Sequence, residues 1–208
     1  MRNIYIIGAQ STGKTTLVSA LKTTFDYDAG RDHNTCLHQP LIIPDVARSV
    51  LKDKRFSRQD VTTSPIRALR LQQYVLKAQY DAETTMCPQN TTTWCICDRS
   101  GIDPIVYARC FAGAEAAAGL LASKIWLELE TRMKNGIVVL CEAGSQWLVD
   151  DGVRLMPNDM EEWIYVDRAF RGLLERRGMS YFVLPKYMTD LTKRVEYVRK
   201  LIDAASKH

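Results

Sequence analysis

Histidine is scarce in this chain, with His33, His38 and the terminal His208 the only three among 208 residues. A histidine-based nucleophile system or a histidine-rich metal site therefore has little material, and any chemistry must come from carboxylates, lysine and arginine. No CxxC pair occurs among the six cysteines, Cys36, Cys87, Cys95, Cys97, Cys110 and Cys141. That spacing argues against zinc and for reduced, buried thiols rather than disulfides. Long apolar runs are missing, as is a secretory segment after Met1-Arg2-Asn3, which excludes a membrane-spanning chain and leads us to expect a cytoplasmic protein with no membrane partner. Neither sign of charge dominates: 28 Lys plus Arg against 24 Asp plus Glu leave a net charge of +4. Such a balance does not mark a nucleic-acid binder, although it suits an anionic small ligand. With 25% charged and 46% hydrophobic residues, and no repeat or low-complexity tail, one compact domain over residues 1–208 is expected.

What the chain does contain is an alternation of short apolar runs with longer amphipathic stretches. Ile4-Tyr5-Ile6-Ile7 reads as a buried strand closed by Gly8, and residues 15–24 as the helix that follows. Leu41-Ile42-Ile43 is a second strand stopped by Pro44, with helical spacing over residues 45–51. The spacing predicts a long helix over residues 65–83, with Ser64 as cap, Pro65 at its first position and a stripe of Ile66, Leu69, Tyr74, Leu76 and Tyr80. Residues 84–93 read as a loop, Trp94-Cys95-Ile96-Cys97 as a third strand ending at Asp98, and residues 103–126 as helix interrupted at Gly113 and Gly119. Residues 137–141 and 181–184 complete five strands, with helices over residues 159–177 and 191–205. Such alternation implies an α/β fold, a parallel sheet covered on both faces with ligands at the carboxyl ends of its strands.

Between the first strand and the first helix runs Gly8-Ala9-Gln10-Ser11-Thr12-Gly13-Lys14-Thr15, a full GxxxxGK[ST] match. Here glycines let the backbone wrap a phosphate, successive N–H groups and the helix N-terminus supply positive dipole, and Lys14 reaches the terminal phosphates. Gly8, Gln10, Ser11, Thr12, Gly13, Lys14, Thr15 and Thr16 are thus the candidate nucleotide contacts, with Thr15 on Mg²⁺. Asp98, at the end of an apolar strand, has the position of a second metal ligand or a catalytic base, and Arg99 beside it that of a cation neutralising the transferred phosphate. A helix cap with a surface arginine partner is the plainer reading of that pair. Asp103 before Pro104 is either a cap or a substrate contact. Asp45 and Arg48 follow the second strand, where a parallel-sheet kinase binds its acceptor, and they read otherwise as a cap and a solvated helix residue. Arg154, after Asp150-Asp151-Gly152, is a candidate lid arginine within residues 150–160. The basic run over residues 52–58 reads as a solvated face.

These elements together, Ile4 to Leu17, Asp45-Val46-Ala47-Arg48, Asp98-Arg99-Ser100-Gly101-Ile102-Asp103-Pro104 and Asp151-Gly152-Val153-Arg154, resemble the NadR-like AAA-domain family of P-loop kinases, which has many fungal members. The Asp-Arg-Ser element is also similar to the Glu-Arg-Ser of deoxynucleoside kinases, with Asp98 in place of the glutamate that acts there as base. The resemblance implies a three-layer sandwich with a five-stranded sheet in the order 2-3-1-4-5 and Mg-ATP as donor; a mobile lid and a nucleoside or similar metabolite as acceptor are expected with it. A homodimer is compatible with it. The expected function is ATP-dependent transfer of the γ-phosphate to a small-molecule hydroxyl. The alternative is a nucleotide-binding switch or NTPase without such an acceptor; the chain has no Asn-Lys-x-Asp for reading guanine.

Overall fold

The computed structural model describes residues 1–31, 39–88, 92–144 and 160–206. Five parallel strands, β1 (Ile4–Ile7), β2 (Leu41–Ile43), β3 (Cys95–Asp98), β4 (Ile137–Cys141) and β5 (Phe182–Leu184), form one sheet in the order β2-β3-β1-β4-β5. Parallel neighbours cannot be joined by a tight turn, so every connection crosses over through helix. The central strands β1, β3 and β4 are buried along their whole length, as a sheet covered on both sides requires. Side chains alternate in direction: Tyr5, Ile7, Cys97, Val138 and Leu140 enter one apolar cluster, and Ile4, Ile6, Ile96, Ile137 and Val139 the other.

On the second face lie α1 (Lys14–Arg31) and α9 (Leu191–Ala205), contributing Leu17 and Leu21 from one helix and Val195, Val198 and Ile202 from the other. The first face carries α4 (Pro65–Met86), α5 (Ile102–Phe111), α6 (Ala114–Leu121), α7 (Lys124–Lys134) and α8 (Met160–Arg176), with Trp126 and Trp163 fully buried among them. Two short helices, α2 (Val46–Asp53) and α3 (Arg58–Thr63), pack on α4 through Val50, Val61, Ala68, Leu71 and Val75. The sheet order agrees with expectation, and the strands fall within a residue of the predicted runs. Among the described residues no helix is long and apolar enough to cross a membrane.

Several local expectations are corrected. In α4 the buried residues are Ala68, Leu71, Gln72, Val75, Leu76, Gln79 and Glu83, whereas Ile66 is 81% and Tyr74 37% exposed. The helix is clasped by α2 and α3 on one side and by α5 and the sheet on the other, which turns the buried arc away from the expected stripe and draws polar residues into it. The segment expected as two helices or a hinged one is three: the break expected at Gly113 is present, the second falls at Ser123, whose side chain caps α7 by accepting from Trp126 N, and Gly119 stays inside α6. The basic run stands as the solvated face expected, with Lys52, Asp53, Lys54, Arg55 and Ser57 exposed, and it leads into α3, opened by a reciprocal cap between Ser57 and Asp60. Cys87 and Cys95 are joined by a disulfide across the α4–β3 connection, with 6.4 Å between their Cα atoms, against the expectation of reduced thiols. The expectation weighed CxxC spacing, while this pair is brought together by chain reversal between helix and strand.

One buried carboxyl sits in the core rather than at the sheet's end. Glu83, fully buried, accepts from Tyr5 Oη at 3.2 Å and from Gln79 Nε2 at 2.8 Å. Burial pushes its pKa up to about 7, against the smaller opposing effects of Gln79, Arg132 and Tyr5. A raised carboxyl pKa means that the folded state holds its proton longer than the unfolded chain, so stability present below pH 4.5 is lost as pH rises through about 7. Glu83→Gln should therefore gain on the wild type across that window, reaching about 3 kcal/mol at pH 8 relative to the difference at pH 4. Urea unfolding at both pH values measures this; a difference independent of pH would show that Glu83 ionises normally.

Candidate active site

The carboxyl edge of the sheet gathers the sequence motif and its partners. Gly8, directly after β1, has φ +131°, and a Cβ there would lie 2.6 Å from the Cys141 carbonyl oxygen, so the loop can leave β1 alongside β4 only with glycine. Gly13 has φ +78°, and a Cβ on it would come 2.7 Å from Arg194 Nη1. Ser11, with φ +58°, takes a left-handed conformation without being glycine. Lys14 is 4% exposed and curls back over the loop, donating to Ala9 O and to Thr12 Oγ1 at 3.3 Å. Burial first, and the nearby Arg99 cation second, lower its pKa to about 8. Thr16 lies exposed in the first turn of α1.

Thr15 Oγ1 donates to Asp98 Oδ2 at 2.6 Å, joining the start of α1 to the end of β3. Asp98 is 1% exposed, and its other oxygen, Oδ1, is buried without a hydrogen-bond partner. A hydroxyl and a carboxylate with an unsatisfied lone pair form a hard oxygen pair suited to Mg²⁺. Among the described residues no group of three or more His, Cys, Asp or Glu could hold an ion. An ion at Thr15 and Asp98 would thus complete its shell with phosphate and water oxygens.

Arg99 follows in a left-handed conformation, φ +83°, with its N–H extending the β3–β1 ladder to Ile6 O at 2.9 Å. That turn sends its guanidinium between two carboxylates: Nε lies 2.9 Å from Asp45 Oδ2 and Nη1 3.3 Å from Asp103 Oδ1. Burial by itself would lower the Arg99 pKa, but Asp45 foremost, with Tyr107 and Asp103, holds it well above its ordinary value. Burial alone would raise Asp45, but Arg99, Lys14 and the Ala47 N–H together hold it below its ordinary value, and accepting from Ala47 N makes its side chain the cap of α2. Asp103 is pushed up to about 6 by burial, which Arg99 and Lys14 only partly offset, and it accepts from Ser100 N at 2.9 Å.

A cavity of about 400 Å³ opens beside this triad, lined at one end by Gln10, Asp45, Arg99, Asp103 and Tyr107, and at the other by Phe56, Val61, Leu71 and Val75. Arg48 lines it as well, 3.8 Å from Asp45. Gln72, another wall residue, is 6% exposed and makes no side-chain hydrogen bond among the described residues. Asp98 is not among the lining residues: it faces Thr15, while Asp45 and Asp103 face the cavity. The structure thus brings together every expected site residue except Arg154, which lies with residues 150–159 outside the described residues.

Sequence reasoning missed Gln72, Tyr107, Trp163 and Arg194. Tyr107 Oη accepts from Gln10 N at 3.0 Å and donates to Gln10 Oε1 at 2.7 Å, Trp163 Nε1 donates to Gln10 O at 2.8 Å, and Arg194 Nη2 donates to Thr12 O at 2.9 Å. Each grips the phosphate loop from α5, α8 or α9, across 97 to 182 residues of sequence. No local pattern signals contacts of that range.

Residues 3–194 match a family described as an AAA domain, and the chain belongs to that family. No curated protein matches the sequence. Among solved structures, the fold is similar to deoxyadenosine kinase from M. mycoides with bound dATP, at TM-score 0.61 and 12% identity over 97% of this chain and 99% of that one. It is also similar to YorR protein from Bacillus subtilis in complex with phosphorylated GDP, at TM-score 0.52 and 13% identity over 99% and 98%. At such identities the likeness establishes the fold, a P-loop kinase-like α/β sandwich.

Removing the Arg99 guanidinium leaves Asp45 and Asp103 buried without their cation, a far larger penalty than deleting a surface charge. Arg99→Met should lower stability by about 3–5 kcal/mol at pH 7. The loss should shrink at pH 5, below the Asp103 pKa of about 6, where one of the two carboxylates is already neutral. Denaturant unfolding at the two pH values is the measurement; a pH-independent loss below 1 kcal/mol would mean that the triad holds no net charge strain.

Proposed function

We propose that this AAA-domain protein is a Mg-ATP-dependent phosphotransferase that moves the γ-phosphate to a hydroxyl of a nucleoside or comparable small metabolite. One observation carries the reading: the phosphate loop adjoins a second compartment, the cavity beside Asp45, Arg99 and Asp103, and Gln10 belongs to both. A switch that only senses nucleotide needs no such compartment, whereas transfer needs donor and acceptor held within reach of each other. The two structural relatives, described with dATP and with phosphorylated GDP, support a nucleotide donor and a nucleoside-like acceptor. The order of motifs supports the NadR-like placement and a single kinase-like domain over residues 1–208.

The loop amides and Lys14 hold the β- and γ-phosphates, the Lys14 ammonium exchanging its bonds to Ala9 and Thr12 for phosphate oxygens. Thr15 and Asp98 would hold Mg²⁺, which when bound offsets phosphate charge. From the sequence the role of base falls to Asp98 alone, but Asp98 faces Thr15 and is absent from the cavity wall, so we assign that role to Asp45. Ionised at neutral pH and anchored by Arg99, Asp45 accepts the hydrogen bond of the acceptor hydroxyl and orients it for in-line attack. Its low basicity is no obstacle, since a loose phosphoryl transition state asks little proton abstraction before the P–O bond breaks. Arg99 faces the same point and stabilises charge on the transferring group. Gln72 and Tyr107 supply the polar edge and aromatic wall that a nucleobase would meet.

Mass spectrometry of a pooled nucleoside and metabolite library incubated with Mg-ATP tests the proposal, with Lys14→Ala as the control. Phosphorylated products made only by the wild type are expected. With the acceptor so identified, Asp45→Asn should lower kcat on the order of 10²- to 10⁴-fold while leaving the KM for ATP within about threefold. Tight nucleotide binding without any product would move the reading to a switch.

A further inference from the structure

Arg194 takes no part in the transfer described above, yet it is 5% exposed and lies against the back of the phosphate loop. It sits in the first turn of α9, a helix opened by the Asp190 side chain accepting from Lys193 N and fixed to α1 through Val195, Val198 and Ile202. From this rigid base Nη2 donates to Thr12 O at 2.9 Å and reaches Cys141 Sγ at 3.5 Å, and Nη1 lies 2.7 Å from where a Gly13 Cβ would stand.

The Thr12 carbonyl and the Gly13 N–H belong to one peptide unit, and in a planar trans peptide the two point in opposite directions. Holding Thr12 O against α9 therefore turns the Gly13 N–H to the far side, into the concavity of the loop. Gly13 O is separately committed, accepting from Leu17 N at 3.0 Å as the first bond of α1. With both flanking carbonyls fixed, the Gly13 amide has one direction left to it. The missing Cβ thus serves two ends, the left-handed backbone and the approach of the guanidinium, since any side chain would drive Arg194 off the carbonyl.

We propose that Arg194 is a positioning residue that aims the Gly13 N–H at a bound polyphosphate, so that α9 and not the loop alone sets the geometry of the phosphate cradle. The proposal rests on the nucleotide-binding part of the reading above and is independent of any acceptor. Calorimetric titration of the full chain with Mg-ADP and with inorganic tripolyphosphate plus Mg²⁺ tests it on the wild type, Arg194→Met and Arg194→Lys. Loss of one charge-assisted hydrogen bond that orders the site should raise both Kd values on the order of tenfold or more in Arg194→Met. Lysine, which keeps a donor long enough to reach Thr12 O, should restore both to within about threefold of wild type.

Arg194→Met binding within twofold of wild type would overturn the proposal and leave the nucleotide reading standing. Loss of tenfold in a folded Arg194→Lys would also overturn it, because the side chain would then act by packing and not by its bond to the carbonyl; this arm decides if the methionine variant does not fold. A wild type that binds neither probe would overturn both readings together.

Discussion

A guanidinium buried at the end of a β-sheet is tolerable only where carboxylates meet it, and the environment of Arg99 follows from that constraint. Its two partners come from different elements, Asp45 from the end of β2 and Asp103 from the first turn of α5. Each carboxylate also accepts from a backbone N–H where its helix begins, Asp45 from Ala47 and Asp103 from Ser100, so the ion network and the helix starts are one structure. The left-handed backbone at Arg99 stores strain that such a network can hold, and it directs the side chain across the sheet edge instead of into solvent. The positions of α2 and α5, and hence the two sides of the cavity, are fixed by this cation.

The phosphate loop is held in a comparable way from outside itself. Tyr107 accepts from the backbone N–H of Gln10, Trp163 donates to the Gln10 carbonyl and Arg194 donates to the Thr12 carbonyl, while Gly8 lies against the end of β4. Loop amides that face an anion must not collapse onto their own carbonyls, and satisfying those carbonyls from neighbouring helices prevents it. Tyr107 has a second consequence, because the same residue walls the cavity: its ring stacks with Phe111 at 6.1 Å and its hydroxyl holds the loop. Anything that displaces the ring disturbs the loop as well.

How far this was legible in the sequence depends on the range of the interactions involved. The strands and the phosphate loop are local patterns, each strand a run of three to five mostly apolar residues, and the chain order of the motifs carried the sheet order by resemblance. The burial of α4 was not legible, because its direction is set by α2, α3 and α5, and because Gln72, Gln79 and Glu83 are buried without being apolar. Asp45, Arg99 and Asp103 could be nominated singly from their places after strands. That one guanidinium joins them, and that Asp98 turns to Thr15 while Asp45 turns to the cavity, required the register of β3 between β1 and β2.

That division of the carboxylates bears directly on the chemistry. Asp98 and Asp45 end neighbouring strands, and two anions so placed would repel unless each had its own cationic counterpart. Asp45 has Arg99 at 2.9 Å; Asp98 has Thr15, a neutral hydroxyl, and an oxygen with no partner. Lys14 lies near both groups and raises the local positive potential, but its ammonium is engaged with Ala9 and Thr12 and not with either acid. The electrostatic account is therefore closed around Asp45 and open around Asp98. On the proposed reading, a positive charge belongs beside Asp98, next to the phosphate loop, and an uncharged hydroxyl is what Asp45 would orient. In the proposed transfer, such a distribution would separate donor from acceptor by charge as well as by space, an arrangement that sensing of a single nucleotide does not call for.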